Sequence, residues 1–254
     1  MRVAVLGLGE AGAIYASDLA GRGVTVSAAD PFVTEAPAGV RHAPRIADAV
    51  SGAEVVLSLV GAAAAQSVLD EALPAMDAFS IFADMNTGGP DDKKRLAAIA
   101  ATAGISFVDV AILAPVPRAR IDTSLLLSGS GAERLQLLLS QLHIPATDVG
   151  PEAGVAGSLK LLRSVFMKGL AALVFESVEA GDAAGARGWI TDQISSELGP
   201  EGRALVERLL DGTVLHAVRR EAEMRDAQSY LDSLGADHAM TDATLHWLSA
   251  IAKR

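Results

Sequence analysis

The sequence predicts an α/β fold, in which a doubly wound, mostly parallel sheet is followed by an all-helical domain. Short apolar runs of strand length alternate with helical segments up to Pro151. A glycine-rich turn follows the first of these runs. After Pro151 no convincing strand pattern remains, and a long, largely apolar helical run begins at about Ala153. We therefore divide the chain into a domain of residues 1–151 and a domain of residues 152–254, which is entered by the long helix.

The first element is a buried strand that leads into a tight turn. Val3 to Leu6 form a short apolar run, typical of a strand covered on both faces. The next residues have the spacing G-x-G-x-x-G, in which the glycines permit the turn, the approach of a pyrophosphate and close packing of helix on strand. Free N–H groups at the start of the following helix would hold the diphosphate. The predicted dinucleotide-binding residues of this turn are Gly7, Leu8, Gly9, Glu10, Ala11 and Gly12.

An acidic residue ends the second predicted strand. A helix over residues 13–20 and a strand over residues 24–29 lead to Asp30, close to the spacing of about 20 residues at which a carboxylate meets the adenosine ribose. A carboxylate there accepts hydrogen bonds from ribose hydroxyls and repels a 2′-phosphate. Pro31 and Phe32 follow, so no adjacent arginine would favour that phosphate. NAD is therefore the predicted cofactor, with NADP left open.

The remaining elements continue the alternation. Further strands are predicted near Val40 and at residues 54–60, 79–83, 105–110, 123–127 and 143–149, with helices at 44–50, after Gly61, and at 91–102 and 132–142. The long helix is expected at 153–180, broken by Gly181, Gly185 and Gly188, with shorter helices at 189–198, 202–211, 214–234 and 241–252. Because ligands bind beyond the carboxyl ends of parallel strands, residues 7–12, 60–62, 86–89 and 111–117 should gather on one rim.

Composition excludes several classes of function. The formal net charge of −10 argues against nucleic acid and anionic membranes as partners. The chain has no cysteine, and its five histidines lack metal-ligand spacing, so no metal site is expected. The longest apolar stretch, residues 55–69, is too short and too interrupted to span a bilayer, and acidic residues come too early for a signal peptide. We therefore expect a cytoplasmic protein.

The long helix carries a stripe of cations on one face. At 100° per residue, Lys160, Arg163, Ser164 and Met167 share an arc of about 100°, with Lys168 slightly beyond it. An ordinary solvated face explains this pattern equally well. However, the stripe follows a flexible glycine-rich segment at the predicted domain boundary, where a cleft is expected. Cations in a cleft suit an anionic substrate such as a carboxylate.

Together these motifs resemble the 3-hydroxyacid dehydrogenase superfamily, which includes 6-phosphogluconate dehydrogenase and 3-hydroxyisobutyrate dehydrogenase. The chain is most similar to short bacterial members with a phosphogluconate-dehydrogenase-like C-terminal domain. The resemblance rests on the segments 7–12, 84–87, 107–117 and 154–164. It implies a Rossmann domain followed by a helical substrate and dimerisation domain. It also implies that Lys160, at the position of the family's lysine on the interdomain helix, is the acid/base.

The chain departs from the family pattern around the substrate. Leu113 replaces the serine of the family's substrate loop, and Arg163-Ser164 replaces an Asn-Asn pair. Met167 stands where the decarboxylating enzymes have a proton-donating Glu. These departures count against the phosphogluconate reaction and against decarboxylation that needs that acid.

The resulting hypothesis is an NAD(P)-dependent dehydrogenase that acts on a small anionic hydroxy acid. Lys160 would take the hydroxyl proton while hydride passes to nicotinamide. The other expected contacts are Val60, Asn86 and Thr87 to the cofactor and Ala114, Pro115, Arg163, Ser164 and Lys168 to the substrate. Two alternatives stay open: an imine reductase, although such enzymes commonly carry Asp or Tyr at the position of Lys160, and a non-catalytic dinucleotide sensor. We also expect a homodimer formed through the helical domain.

Overall fold

The computed structural model describes residues 1–253. Its contacts divide the chain into two compact units, the first spanning Met1–Lys160 and the second beginning at Leu161. The division falls inside a 29-residue helix, Val155–Ala183, whereas the sequence places a boundary near residue 151. The first turn of the helix belongs to the first unit because its N–H groups bond to side chains of the sheet, as described below. The domain limits at 151 and 152 stay a prediction.

A single sheet forms the centre of the first unit. Within residues 1–253 it has eight strands in the order β3-β2-β1-β4-β5-β6-β7-β8. Their bounds are β1 Arg2–Leu6, β2 Thr25–Ala29, β3 Val40–His42, β4 Val55–Ser58, β5 Ile81–Asp84, β6 Ser106–Ile112, β7 Leu125–Ser128 and β8 Ala146–Asp148. All neighbouring pairs are parallel except β6 and β7. This arrangement confirms the predicted doubly wound, mostly parallel sheet.

The antiparallel pair has a simple cause in the connection that precedes β7. A parallel neighbour needs a crossover that carries the chain back to the opposite end of the sheet, usually on an α-helix of several turns. Between β6 and β7 the chain forms only a four-residue helix, α5 Val116–Ala119, and one 3₁₀ turn. This segment returns the chain on the same side, so β7 runs antiparallel to β6. The sequence predicts a mostly parallel sheet but does not indicate which pair of strands is antiparallel.

Helices cover both faces of the sheet. They are α1 Glu10–Gly21, α2 Ile46–Val50, α3 Ala65–Ala72, α4 Pro90–Thr102 and α6 Ala132–Gln141. The alternation along β1 shows the two-sided burial directly: Val3 and Val5 join the apolar cluster that contains residues of α1 and α6. Ala4 and Leu6 join the opposite cluster with residues of α2, α3 and α4. The uninterrupted apolar run of β1 is therefore explained by packing on both sides.

The second unit is helical. After α7, which is the long helix Val155–Ala183, come α8 Arg187–Glu197, α9 Gly202–Leu215, α10 Ala217–Leu234 and α11 Ala239–Ala252. Its core includes Met224 of α10 and Leu248 of α11. The rings of Phe175 in α7 and Trp247 in α11 form an edge-to-face pair with their centroids 6.1 Å apart. No helix of residues 1–253 is both long enough and apolar enough to cross a membrane.

Gly181 does not break the long helix, so that part of the sequence prediction is wrong. The helix continues through Gly181 to Ala183, and Gly185, with φ of +69°, follows its end. A Cβ at Gly181 would lie 2.4 Å from the side chain of Ile190 in α8. This glycine therefore permits the close approach of two helices and does not end one. Gly188 lies in the first turn of α8.

Candidate functional site

The three glycines of the turn after β1 are required for three different reasons. Gly7 has φ of +90°, and a Cβ there would lie 2.6 Å from the carbonyl oxygen of Leu59. A Cβ at Gly12 would lie 1.9 Å from the carbonyl oxygen of Gly7, so only glycine lets α1 pack on the turn. A Cβ at Gly9 would meet no atom within 4 Å. Gly9 therefore borders open space in front of α1, where a pyrophosphate could approach the helix N-terminus.

The other residues of this turn differ in exposure. Leu8 is buried in the core, Ala11 is half-buried and Glu10 is exposed at the first position of α1. The first N–H groups of a helix have no partner inside it, so the start of α1 offers donors to an anion. The turn thus fits the dinucleotide that its spacing predicts.

Asp30 is held in place at the end of β2. Its Oδ2 accepts a hydrogen bond of 2.6 Å from the N–H of Leu8, and its Oδ1 accepts one of 2.8 Å from the N–H of Phe32. Each carboxylate oxygen has two lone pairs, so both can still accept from ribose hydroxyls. The carboxylate is half-buried beside the glycine-rich turn. Its position fits the adenosine ribose of a bound dinucleotide.

Asn86 connects the ends of two strands. Its Oδ1 accepts a hydrogen bond of 2.7 Å from the N–H of Gly61 after β4, and its Nδ2 donates to Ser58 Oγ at 3.0 Å and to the carboxylate of Asp84. The side chain is buried and its amide is bonded within the protein. On either side of this bridge Val60 is half-buried and Thr87 is exposed. Cofactor contacts of Val60, Asn86 and Thr87 stay predictions.

A buried cluster of charged side chains, which the sequence did not predict, lies beside Asn86 at the end of β5. Lys93 of α4 is 2% exposed, and Asp84 and Asp109 are each 1% exposed. The Nζ of Lys93 lies 2.7 Å from Asp84 Oδ2 and 3.2 Å from Asp109 Oδ1, and it donates to the carbonyl oxygens of Asp84 at 3.1 Å and Asn86 at 2.7 Å. We call Lys93, Asp84, Asp109 and Asn86 the Lys93 cluster.

One signal could have revealed this cluster. Asp84 and Asp109 each follow a fully apolar part of a strand, at positions that pair directly in the parallel sheet. Two buried carboxylates side by side need a cation between them. The nearest basic residue on a helix that covers this end of the sheet is Lys93. The sequence predicts a helix over residues 91–102 but assigns no role to Lys93.

The first turn of α7 is attached to the same cluster. Asp109 Oδ2 accepts a hydrogen bond of 2.9 Å from the N–H of Gly157, and Ser128 Oγ accepts one of 3.0 Å from the N–H of Ala156. Gly154 has φ of +95°, and a Cβ there would lie 2.7 Å from the carbonyl oxygen of Pro90. These contacts bring the start of α7 against the segment that follows β5. Lys160 lies on the next turn of the helix and is half-buried.

The predicted substrate loop lies after β6. Ala114 is half-buried, and Pro115 is exposed just before α5. The N–H of Leu113 bonds to the carbonyl oxygen of Ser124 at 3.1 Å, which fixes the start of the loop. Contacts of Ala114 and Pro115 with a substrate stay predictions.

The other predicted substrate residues lie in the second unit. Lys168 Nζ forms an ion pair of 2.7 Å with Glu223 of α10 and donates to Ser164 Oγ at 2.9 Å. Ser164 is buried, while Arg163 is exposed on the helix surface. The structure therefore joins Ser164 to Lys168 and gives Lys168 an internal carboxylate partner. Glu223 could not be predicted from the sequence, because its contact with Lys168 depends on the packing of α10 on α7.

A second carboxyl of α10 lies near this pair. Burial, and secondarily the charge of Glu223, raise the pKa of Asp226 above its ordinary value. Elsewhere on the same helix, burial lowers the pKa of Arg220, whose guanidinium donates to Thr213 of α9. Helix α10 therefore carries half-buried charges that contact two different helices, Glu223 at Lys168 of α7 and Arg220 at Thr213 of α9.

Two protein-family models match this chain. The model for the NAD binding domain of 6-phosphogluconate dehydrogenase matches residues 2–143, more than half of the sequence. A model for a domain of unknown function, DUF1932, matches residues 182–251. The first match includes the glycine-rich turn, Asp30 and Asn86. It shows that the first unit is an NAD-binding domain.

Three proteins are similar to this chain over more than half of its length. A conserved hypothetical protein from Sinorhizobium meliloti 1021 is 32% identical, with a TM-score of 0.80 over 98% of this chain and 88% of its own. The conserved protein MTH1747, described as structurally similar to 3-hydroxyacid dehydrogenases, is 26% identical, with a TM-score of 0.80 over 100% and 97% of the two chains. An uncharacterized 28.5 kDa protein from Methanothermus fervidus is 25% identical over 151 residues, and the match spans 59% of this chain and only 58% of that relative.

Two enzymes share the fold at lower identity. A 3-hydroxyisobutyrate dehydrogenase from Mycobacterium tuberculosis, solved with L-serine, has a TM-score of 0.83 at 19% identity over 99% of this chain and 94% of its own. An imine reductase from Streptomyces aurantiacus has a TM-score of 0.68 at 20% identity over 100% and 94% of the two chains. Because the fold is common to both enzymes, it does not by itself separate oxidation of a hydroxyl group from reduction of an imine.

Proposed function

This chain belongs to the family defined by the NAD binding domain of 6-phosphogluconate dehydrogenase, and from that premise we propose that it is a dehydrogenase for a small anionic hydroxy acid. The observation that carries the proposal is the attachment of α7 to the NAD-binding unit. Asp109 and Ser128 bind the N–H groups of Gly157 and Ala156. Lys160 follows within one helical turn of Gly157, where a Cβ would lie 3.8 Å from the carbonyl oxygen of Gly88.

In this proposal each residue has a separate task. The glycine-rich turn holds the diphosphate and Asp30 holds the adenosine ribose, and the bound cofactor supplies a hydride acceptor. Lys160, in its neutral form, accepts the proton of the substrate hydroxyl as the C–H bond breaks and the carbonyl forms. In the reverse direction its ammonium returns the proton to the carbonyl oxygen. A base held on a rigid helix keeps the orientation that this transfer needs.

The substrate carboxylate is assigned to the cationic stripe of α7. Arg163 is exposed and can offer two parallel donors, and Ser164 can add a third. Lys168 already neutralises Glu223, so a substrate carboxylate would compete with Glu223 for it. Arg163 is therefore the stronger candidate of the two cations. In the first unit, Ala114 and Pro115 of the loop after β6 are further proposed contacts to the substrate.

We propose NAD as the preferred cofactor. The fixed carboxylate of Asp30 supports this choice because a 2′-phosphate would be placed against a negative charge. NADP can bind the same turn only if that repulsion is compensated. Equilibrium titration with both nucleotides tests the preference without any substrate.

We also propose that two copies of the chain associate through the helical unit. On α7, Leu162, Phe166 and Leu173 recur at helical spacing and are exposed, with Phe166 at 66%. Trp189, Val214, Leu215 and Val218 are exposed in the same unit. So many large apolar side chains in contact with water favour an interface, and a second identical copy would cover them.

The proposed reaction is tested by a steady-state panel of short hydroxy acids, the matching keto acids and cyclic imines, each with both nicotinamide cofactors. We expect turnover of a hydroxy acid with NAD and of its keto acid with NADH. Turnover of cyclic imines alone would assign the chain to C=N reduction. Tight NAD binding with no turnover of any compound would favour a dinucleotide sensor.

A further inference from the structure

We propose that Lys93 and Asp109 are positioning residues that set the start of α7, and with it Lys160, against the nicotinamide side of the cofactor site. This inference rests on the proposed function for the role of Lys160. Lys93 and Asp109 are not among the predicted contacts to cofactor or substrate. Lys93, Asp109 and Lys160 all lie in the first unit.

The first step is the charge balance of the cluster. Asp84 and Asp109 are paired neighbours on β5 and β6, and each is 1% exposed. Lys93 Nζ reaches one oxygen of each, at 2.7 Å and 3.2 Å. Without that ammonium, two buried carboxylates would face each other, which is strongly unfavourable. Lys93 therefore supplies the positive charge that lies between the two buried carboxyl groups at the carboxyl ends of β5 and β6.

The second step is that each aspartate has a further partner. Asp84 accepts a hydrogen bond from the Asn86 amide, and Asn86 in turn holds the N–H of Gly61 beyond β4. Asp109 holds the N–H of Gly157 in the first turn of α7. One ammonium thus supports two sets of contacts. Those made through Asp84 order the turns beside the proposed cofactor site, and the hydrogen bond accepted by Asp109 orders the start of the helix that carries the proposed base.

The third step is the electrostatics of the helix start. Two carboxylates and one ammonium leave a net negative charge beneath the N-terminus of α7. The first N–H groups of a helix and its dipole stabilise a nearby anion. Asp109 therefore acts as a charged cap supplied from 48 residues earlier in the chain. The carboxylate lies close to the backbone here, since a Cβ at Gly157 would be in van der Waals contact with Asp109 Oδ2 at 3.4 Å.

The main test uses Asp109→Asn, which keeps the size of the side chain and removes its charge. Hydrogen exchange of the amides of Ala156 and Gly157 should become faster, because these N–H groups have no partner within the helix. In the active enzyme, kcat should fall about tenfold or more while the NAD dissociation constant changes less than about twofold, since proton transfer depends on position. Lys94→Met, on the exposed side of α4, is the matched control and should change neither measurement.

A second variant tests the charge balance. Lys93→Met should lower the melting temperature by several degrees, because it leaves two buried carboxylates unpaired. Adding Asp109→Asn to Lys93→Met should restore part of that loss, although Asp109→Asn alone destabilises. The effect of Asp109→Asn on stability is expected to change from destabilising to stabilising only if the charges of Lys93 and Asp109 compensate one another.

The outcomes separate this inference from the proposed function. Unchanged exchange at Ala156 and Gly157 in Asp109→Asn would overturn the positioning role, whether or not the protein is a dehydrogenase. Faster exchange together with unchanged kcat would also overturn it. If wild-type protein turns over no compound of the panel, the exchange and melting measurements still decide whether the cluster holds the helix. In that case the proposed function fails on its own experiment.

Discussion

The carboxylate of Asp30 accepts a hydrogen bond of 2.6 Å from the backbone N–H of Leu8, 22 residues earlier in the chain. This bond ties the end of β2 to the glycine-rich turn after β1. It places the carboxylate proposed to bind the ribose directly beside the turn proposed to bind the diphosphate. The two parts of the proposed adenosine diphosphate site are therefore joined by a direct hydrogen bond between a side chain and the backbone.

Asp30→Ser should reverse part of the preference for NAD. The substitution removes charge-assisted hydrogen bonds to ribose, each worth about 1.5–3 kcal/mol, so NAD affinity should fall at least about tenfold. NADP affinity should rise, because the repulsion of the 2′-phosphate disappears. Fluorescence titration with both reduced nucleotides measures the two changes. Asp91→Ser, at an exposed carboxylate of α4, is the control, and equal loss for both nucleotides in Asp30→Ser would contradict the assignment.

Two alanine substitutions in the same turn should behave differently. Gly9→Ala projects into open space, so the melting temperature should hardly change while NAD binding weakens severely. Gly12→Ala places a Cβ 1.9 Å from the carbonyl oxygen of Gly7, so the fold itself should lose about 1–3 kcal/mol or more. Thermal unfolding with and without NAD distinguishes the two effects. Normal NAD binding by Gly9→Ala would refute the placement of the diphosphate.

Lys160→Ala should reduce kcat by at least about a hundredfold, because the hydroxyl proton then has no acceptor on the helix. The NAD dissociation constant should stay within about twofold of the wild-type value, since the amine is not assigned to cofactor binding. Lys94→Ala, which removes one exposed lysine of α4, is the matched control. Turnover near the wild-type rate in Lys160→Ala would remove the acid/base assignment.

The stability of the second unit should depend on pH through His238. Its ring lies 2.8 Å from Asp242 and 2.9 Å from Asp232, and these hydrogen bonds raise the pKa of His238 above its ordinary 6.5. Because the folded-state pKa is the higher one, this stabilisation is fully present below pH 6.5 and is lost as pH rises through the folded-state pKa. His238→Gln should therefore melt below wild type near pH 6 and approach it at pH 9.

Differential scanning calorimetry across that pH range checks the expectation. At exposed positions such ion pairs are weak, so a modest difference between the two proteins is expected. A constant difference at every pH would show that His238 contributes through packing and not through its charge. His143→Gln, at a histidine of the first unit, serves as the control.

Phe166→Glu should weaken self-association. A carboxylate in the centre of the exposed apolar face of α7 would be desolvated by a second copy, which is costly without a partner. Light scattering at micromolar concentration should give a dimer for wild type and a lower mass for Phe166→Glu. Phe79→Glu is the matched control, because Phe79 is 84% exposed but belongs to the first unit. A monomeric wild-type protein would refute the proposed assembly.

Much of the fold could be predicted because its signals are local. The apolar run at residues 3–6, the glycine spacing after it and the later alternation of strands and helices depend on neighbouring residues. The antiparallel β7 and the uninterrupted helix at Gly181 could not be read in this way. Both depend on contacts made elsewhere: the short connection through α5 decides the direction of β7, and Ile190 of α8 explains Gly181.

The sequence by itself determined the dinucleotide turn, Asp30 and the position of Lys160 on a long helix, because backbone geometry and chain spacing define them. Only the tertiary structure decided that Lys93 is buried between Asp84 and Asp109, and that Asp109 holds Gly157. On its own helix Lys93 has the pattern of a surface residue. Pairing of β5 with β6 brings two carboxylates together beneath α4, and their combined charge is the physical reason that this lysine lies inside.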